Sequence, residues 1–107
     1  MTQTTKTRRE TLEGFVRNSP RDAFARYGLA VECANLGDNA AAQEHFRQLL
    51  ADNPGYVAGY YQFGQLLARL GESADARRIL SAGVAAAQKA GDIHARDEMQ
   101  AALAALP

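Results

Sequence analysis

Shifted by 34 residues, this chain falls onto itself. Pro20 lands on Pro54, Tyr27 on Tyr61, Ala34 on Ala68, Leu36 on Leu70, Gly37 on Gly71, Ala40 on Ala74 and Ala42 on Ala76. Conservative pairs lie between them: Leu29 with Phe63, Ala30 with Gly64, and Phe46 with Leu80. Chain-turning, small and large positions all keep the same register. A unit of this length cannot bury its own apolar stripe. It must stack on a copy of itself, and about three units are usually needed for stability.

The units are helical. Alanine is the commonest residue, with 22 copies, while the body of the chain holds few β-branched residues: Val16, Val31, Val57, Val84, Ile79 and Ile93. Side chains branched at Cβ lose rotamer freedom in a helix, and alanine loses none. All five threonines lie within residues 1–11, and residues 1–7 are expected to form a flexible tail. Ser19-Pro20 and Asn53-Pro54 read as helix starts, with a side-chain oxygen for the orphan amides and proline at the first helical position. Gly37 and Gly71 end a helix, because glycine enters the left-handed conformation without steric cost. Asp38, and Glu72 or Ser73, then open the next helix, and Asp92 opens the last one after Gly91. The expected helices run over about 8–18, 20–36, 38–52, 54–70, 73–90 and 92–106.

A 34-residue helix–turn–helix unit resembles the tetratricopeptide repeat. The first unit carries Leu29-Ala30, Gly37, Ala42, Phe46 and Pro54. The second carries Tyr60, Phe63-Gly64, Leu67, Gly71, Ala76 and Leu80. These match the family's large–small pair, its turn glycine, its packing alanine and its closing proline. The resemblance implies an all-α fold, a short right-handed α-solenoid of about six helices in antiparallel pairs. Residues 8–107 form one domain in that scheme: a half repeat at 8–19, repeats at 20–53 and 54–91, and a capping helix at 92–107. Some positions depart from the family pattern. Arg26 stands where the second unit has Tyr60, Cys33 and Leu67 replace a mid-helix tyrosine, and Gly83 replaces a late alanine. Gln88 stands 34 residues after Pro54, so the last helix of the second unit should run about one turn longer.

In the family the first helix of each unit lines a concave groove. Carried over by register, the lining is Phe24, Tyr27, Val31, Ala34 and Asn35, then Ala58, Tyr61, Gln65, Ala68 and Arg69. Tyrosine joins a large apolar face to a hydroxyl, which suits peptide recognition. The competing reading is that Tyr27 and Tyr61 are half-buried packing residues. One subclass of the family grips acidic peptide C-termini with a Lys/Asn/Arg clamp; Tyr27 and Val31 stand where that clamp needs Lys and Asn. The resemblance therefore implies a more apolar or aromatic peptide, or a partner helix.

Other functions find little support in the residues. Twelve Lys+Arg balance twelve Asp+Glu, a formal net charge of zero, which argues against a nucleic-acid partner. The pairs Arg8-Arg9 and Arg77-Arg78 read as solvated. The lone Cys33 excludes an internal disulfide and a cysteine zinc site, and its core-facing position suggests a structural thiol. His45 and His94 have no second His or Cys at ligand spacing, and no phosphate-binding glycine loop is present. No cofactor, no metal and no enzymatic activity are expected. With no apolar run long enough for a membrane span and no secretory signal in residues 1–11, a cytoplasmic protein without membrane contact is expected. The reading is a non-enzymatic module that holds a protein or peptide partner. The alternative is a homodimer through the terminal helices, since Ala101 to Leu106 carries no charge.

Overall fold

The computed structural model describes residues 5–107. Six helices follow one another: α1 (Arg8–Asn18), α2 (Ala23–Asn35), α3 (Asn39–Asp52), α4 (Val57–Arg69), α5 (Ser73–Ala90) and α6 (Ile93–Ala104). No strand occurs among the described residues. The hairpins α2–α3 and α4–α5 are the two repeats, and they stack through α3 on α4. The stack measures 54 × 28 × 20 Å with a radius of gyration of 14.8 Å. A compact chain of this length would have a radius near ~13 Å, so stacking in one direction makes the molecule elongated.

The two glycine turns are copies of one another. Gly37 and Gly71 have φ of +82° and +76°. In each, the glycine N–H donates three residues back, to Ala34 O or Ala68 O at 3.1 Å. The next N–H donates five back, to Cys33 O or Leu67 O at 2.9 Å. This is the Schellman pattern, which satisfies the last carbonyls of α2 and α4. Gly91, at φ +73°, repeats it at the end of α5. That helix has 18 residues against 14 in α3, the extra turn expected from the missing proline.

The proline signals act differently from the expectation. Helices α2 and α4 begin at Ala23 and Val57, not at residues 20 and 54. Ser19 and Asn53 close the preceding helices: their N–H groups donate to Phe15 O at 2.9 Å and Leu49 O at 2.8 Å. Asp22 N and Tyr56 N then donate to Ser19 O and Asn53 O at 3.0 Å. Ser/Asn-Pro thus fills the first two positions of a four-residue turn, where proline's fixed φ and a short polar side chain are equally favoured. The cap of α2 is Asp22, which accepts from Ala25 N at 3.1 Å. Asp38 and Asp92 cap α3 and α6 in the same way, at 3.2 and 3.0 Å. Of the tail expected over 1–7, residues 1–4 lie outside the described residues, while Thr7 is the N-cap of α1. It forms a reciprocal capping box with Glu10.

Large and small residues interlock in the core. Phe46 of α3 and Phe63 of α4 stack across the two repeats, with centroids 5.4 Å apart and planes at 12°. Leu29, Ala30, Cys33, Ala42, Leu49, Leu66, Leu67 and Ala76 complete this cluster. A second cluster joins Tyr60, Leu80, Ala87 and Met99, and so seats α6 on α4 and α5. Gly64 and Gly83 mark the closest helix approaches. A Cβ at Gly64 would lie 2.5 Å from Leu80 Cγ, and one at Gly83 would lie 2.5 Å from Tyr60 Cβ. Helix α1 contributes no fully buried residue.

Candidate functional site

The residues expected to line one groove are distributed over three hollows. Phe24, Tyr27, Val31 and Asn35 face a hollow of about 440 Å³ between α1 and α2, opposite Leu12 and Phe15. Tyr61 and Gln65, with Gly64 and Ala68, line a second of about 520 Å³ between α4 and the last turns of α6. Tyr27 and Tyr61 meet only in a third, smaller hollow of about 200 Å³, floored by Val57 and Ala58. Tyr61 and Glu98 belong to both the second and the third, so these two adjoin along α4. Ala34 is half-buried against the core. Arg69 is exposed in the last turn of α4.

Tyr27 is fixed by a neighbour that register alone does not indicate. Its ring lies 5.3 Å from that of Tyr56, tilted by 41°. Tyr56 precedes α4, and burial raises its phenol pKa above the ordinary value. Tyr61 remains half-buried, with one flank open to the small hollow. The far wall of that hollow comes from α6: Asp92, His94 and Glu98. His94 Nε2 lies 3.1 Å from Glu98 Oε1. The wall therefore offers carboxylates beside two tyrosines. Register gives Ala95 as the equivalent of Tyr61 but does not say which residues face it, so the sequence carried no direct signal for this wall.

The remaining polar and reactive groups are held by the fold. Cys33 is fully buried and its thiol pKa is raised, first by desolvation, which keeps it protonated and unreactive. His45 sits half-buried on α3 with Nδ1 3.2 Å from Arg26 Nη1. Arginine can only donate, so Nδ1 accepts and the proton lies on Nε2. Burial, then Arg26 of α2 and Arg9 of α1, push the His45 pKa down; Glu13 of α1 and Glu44 oppose them weakly. The neutral ring is thus favoured in the folded state, whereas the unfolded chain takes up a proton near the ordinary value of about 6.5. Stability is full above that pH and declines as pH falls from there through the depressed value. Thermal midpoints at pH 7.5 and 5.5 should differ in the wild type, and the difference should shrink in His45→Gln. An equal difference in both proteins removes His45 as the cause. Asp38, whose carboxyl is held down by the Ala41 amide and then Arg9, acts only below the ordinary carboxylate range.

Among the described residues, no group of three or more His, Cys, Asp or Glu is placed to hold a metal ion. Nor is any helix among them long and apolar enough to cross a membrane.

Comparison with known proteins agrees with this architecture. A family model described as tetratricopeptide repeat matches residues 35–106. A TPR repeat-containing protein of Pseudomonas aeruginosa is 32% identical over 90 residues, covering 84% of this chain and 86% of that protein. The solution structure of a tetratricopeptide repeat domain protein from Salinibacter ruber superposes with a TM-score of 0.75 at 33% identity, over 79% of this chain and 86% of that one. The solution structure of a Bordetella parapertussis protein gives 0.79 at 29% identity, over 92% and 86%.

Proposed function

Because the chain belongs to the tetratricopeptide repeat family, whose fold serves in general as a protein–protein interaction module, we propose that it is a non-enzymatic adaptor that holds an extended or helical segment of another protein along α4. The observation that carries this reading is the shared hollow of Tyr27 and Tyr61, two aromatics one repeat apart that both face it. Val57 and Ala58 supply an apolar floor, and Asp92 and Glu98 supply negative charge. Such a surface favours a segment with an apolar side chain next to a lysine or arginine. The hollow is too small for a folded domain, but its apolar floor would desolvate one side chain, and burial at a centre of this kind carries most of the energy of peptide recognition. The carboxylates would add orientation and association rate more than affinity.

Selection of a random peptide display library on the immobilised protein tests this. Enriched peptides should carry the apolar–basic pair. Their affinity should fall at least about tenfold in Tyr27→Ser/Tyr61→Ser, the loss expected when central aromatic contacts are truncated. Glu98→Lys should weaken the basic peptides selectively. Undiminished binding to a folded double variant would place the site elsewhere.

A further inference from the structure

Helices α2 and α4 are equivalent by register, yet they start differently. Asp22 caps α2, its carboxylate accepting from Ala25 N at 3.1 Å. In the 34-residue register the same place at the head of α4 is taken by Tyr56, which makes no side-chain cap. The Gly59 N–H, equivalent to that of Ala25, donates instead to Tyr56 O at 3.0 Å. Thr7, Asp38 and Asp92 cap α1, α3 and α6. Glu72 makes no cap on α5 but still sets a carboxylate at its positive end. Among the described helices, only α4 starts on a side chain that gives its first turn neither an acceptor nor a negative charge. Ser, Thr, Asn or Asp is the ordinary choice there, and a local rule broken in this way marks a residue retained for another purpose.

Tyr56 leans on Tyr27, with ring centroids 5.3 Å apart and planes tilted by 41°, within the favoured range for an aromatic pair. The turn that carries Tyr56 is held twice. Tyr56 N donates to Asn53 O at 3.0 Å, and the Tyr60 hydroxyl donates to Pro54 O at 2.7 Å. In the first repeat Arg26 takes the place of Tyr60 and reaches the equivalent carbonyl, Pro20 O, through an exposed contact of 3.3 Å. The 53–56 turn is thus the firmer mount. Tyr27 stands between two hollows, lining both the one beside α1 and the small one shared with Tyr61. Tyr56 lines neither, so it reaches an occupant only through Tyr27.

We propose that Tyr56 is a positioning residue for the peptide site: it holds the Tyr27 ring at the small hollow, ready for the partner's apolar side chain, and α4 goes without a side-chain cap as a result. This rests on the reading that Tyr27 and Tyr61 hold a partner segment. A ring already held in place need not be ordered when the partner arrives, and the saved ordering appears as affinity. The competing account is plain packing, since Tyr56 also packs against the core cluster. Packing alone makes affinity and thermal stability fall together; positioning makes them part.

Titration of the display-selected peptides into variants at Tyr56, with the melting temperature of each variant, tests it. Tyr56→Ala and Tyr56→Asn both remove the ring, but asparagine can cap α4 without adding charge near a basic ligand. Tyr56→Asn should therefore melt above Tyr56→Ala. Both should nonetheless weaken the peptides by about two- to tenfold, the range to which the coupling of an aromatic pair corresponds. Tyr56→Phe keeps the ring and should bind within about twofold of the wild type. In a Tyr27→Ser background, Tyr56→Asn should change affinity no further, because effects passed through one shared contact do not add. Wild-type affinity in Tyr56→Asn, or an equal further loss in the Tyr27→Ser background, overturns the positioning role and leaves the peptide site in place. Peptides indifferent to Tyr27→Ser/Tyr61→Ser, or no enriched peptide at all, overturn the site and the positioning role together.

Discussion

Phe46→Ala should lower the unfolding free energy by about 3–5 kcal/mol, the range for truncating a fully buried aromatic. Phe46 is 1% exposed and stacks on Phe63, so its ring touches both repeats at once. The loss combines burial of the ring, the cavity left behind and the stacking contact itself. Domains of this size have a total stability of about 5–15 kcal/mol, so the variant should sit near the limit of folding at room temperature. Urea denaturation followed by far-ultraviolet circular dichroism measures the change. A loss below about 1 kcal/mol would mean that the repeats do not meet through this pair, since even modest core truncations cost more.

The second large effect depends on where a glycine sits. Gly64→Leu should destabilise by about 1–3 kcal/mol, the usual cost of overpacking a filled core. Already its Cβ would press on the branch point of Leu80, which has no room to swing away because Leu80 is itself buried. Gly83→Leu should behave alike, because the Cβ of Tyr60, close to the backbone of α4, cannot yield. Gly14 is the internal control. A Cβ there meets nothing within 4 Å, so Gly14→Ala in α1 should stabilise by about 0.5–1 kcal/mol through helix propensity. Thermal melts of the three variants give the signs directly. If Gly64→Leu melted at or above the wild type, α4 and α5 would not approach as closely as described.

The sequence made most of the architecture legible, for physical reasons that also explain its limits. Helix number and turn placement came from Gly37, Gly71 and Gly91, because positive φ is a demand few other residues meet. The alignment of Phe46 with Leu80 and of Ala30 with Gly64 revealed core positions, because size must alternate where helices interlock. Ser19-Pro20 and Asn53-Pro54 misled by about three residues, since proline's φ suits a turn as well as a helix start. The site was less legible. Register identifies equivalent places on two helices but not what each helix faces. Phe24 and Ala58 are equivalent by 34 residues, yet Phe24 looks toward an open end and Ala58 toward α6. The same limit concealed the contact of Tyr56 with Tyr27, which depends on the path of a turn rather than on periodicity.

Helix α1 rests on the stack without a single fully buried side chain. Every other helix has at least one, so fraying from this end should be the lowest-energy excursion open to the native molecule. Any occupant that bridges α1 and α2 would suppress that excursion, and the ordering it imposes would be subtracted from its affinity. Hydrogen exchange should therefore find the backbone amides of α1 among the fastest of the helical amides to exchange.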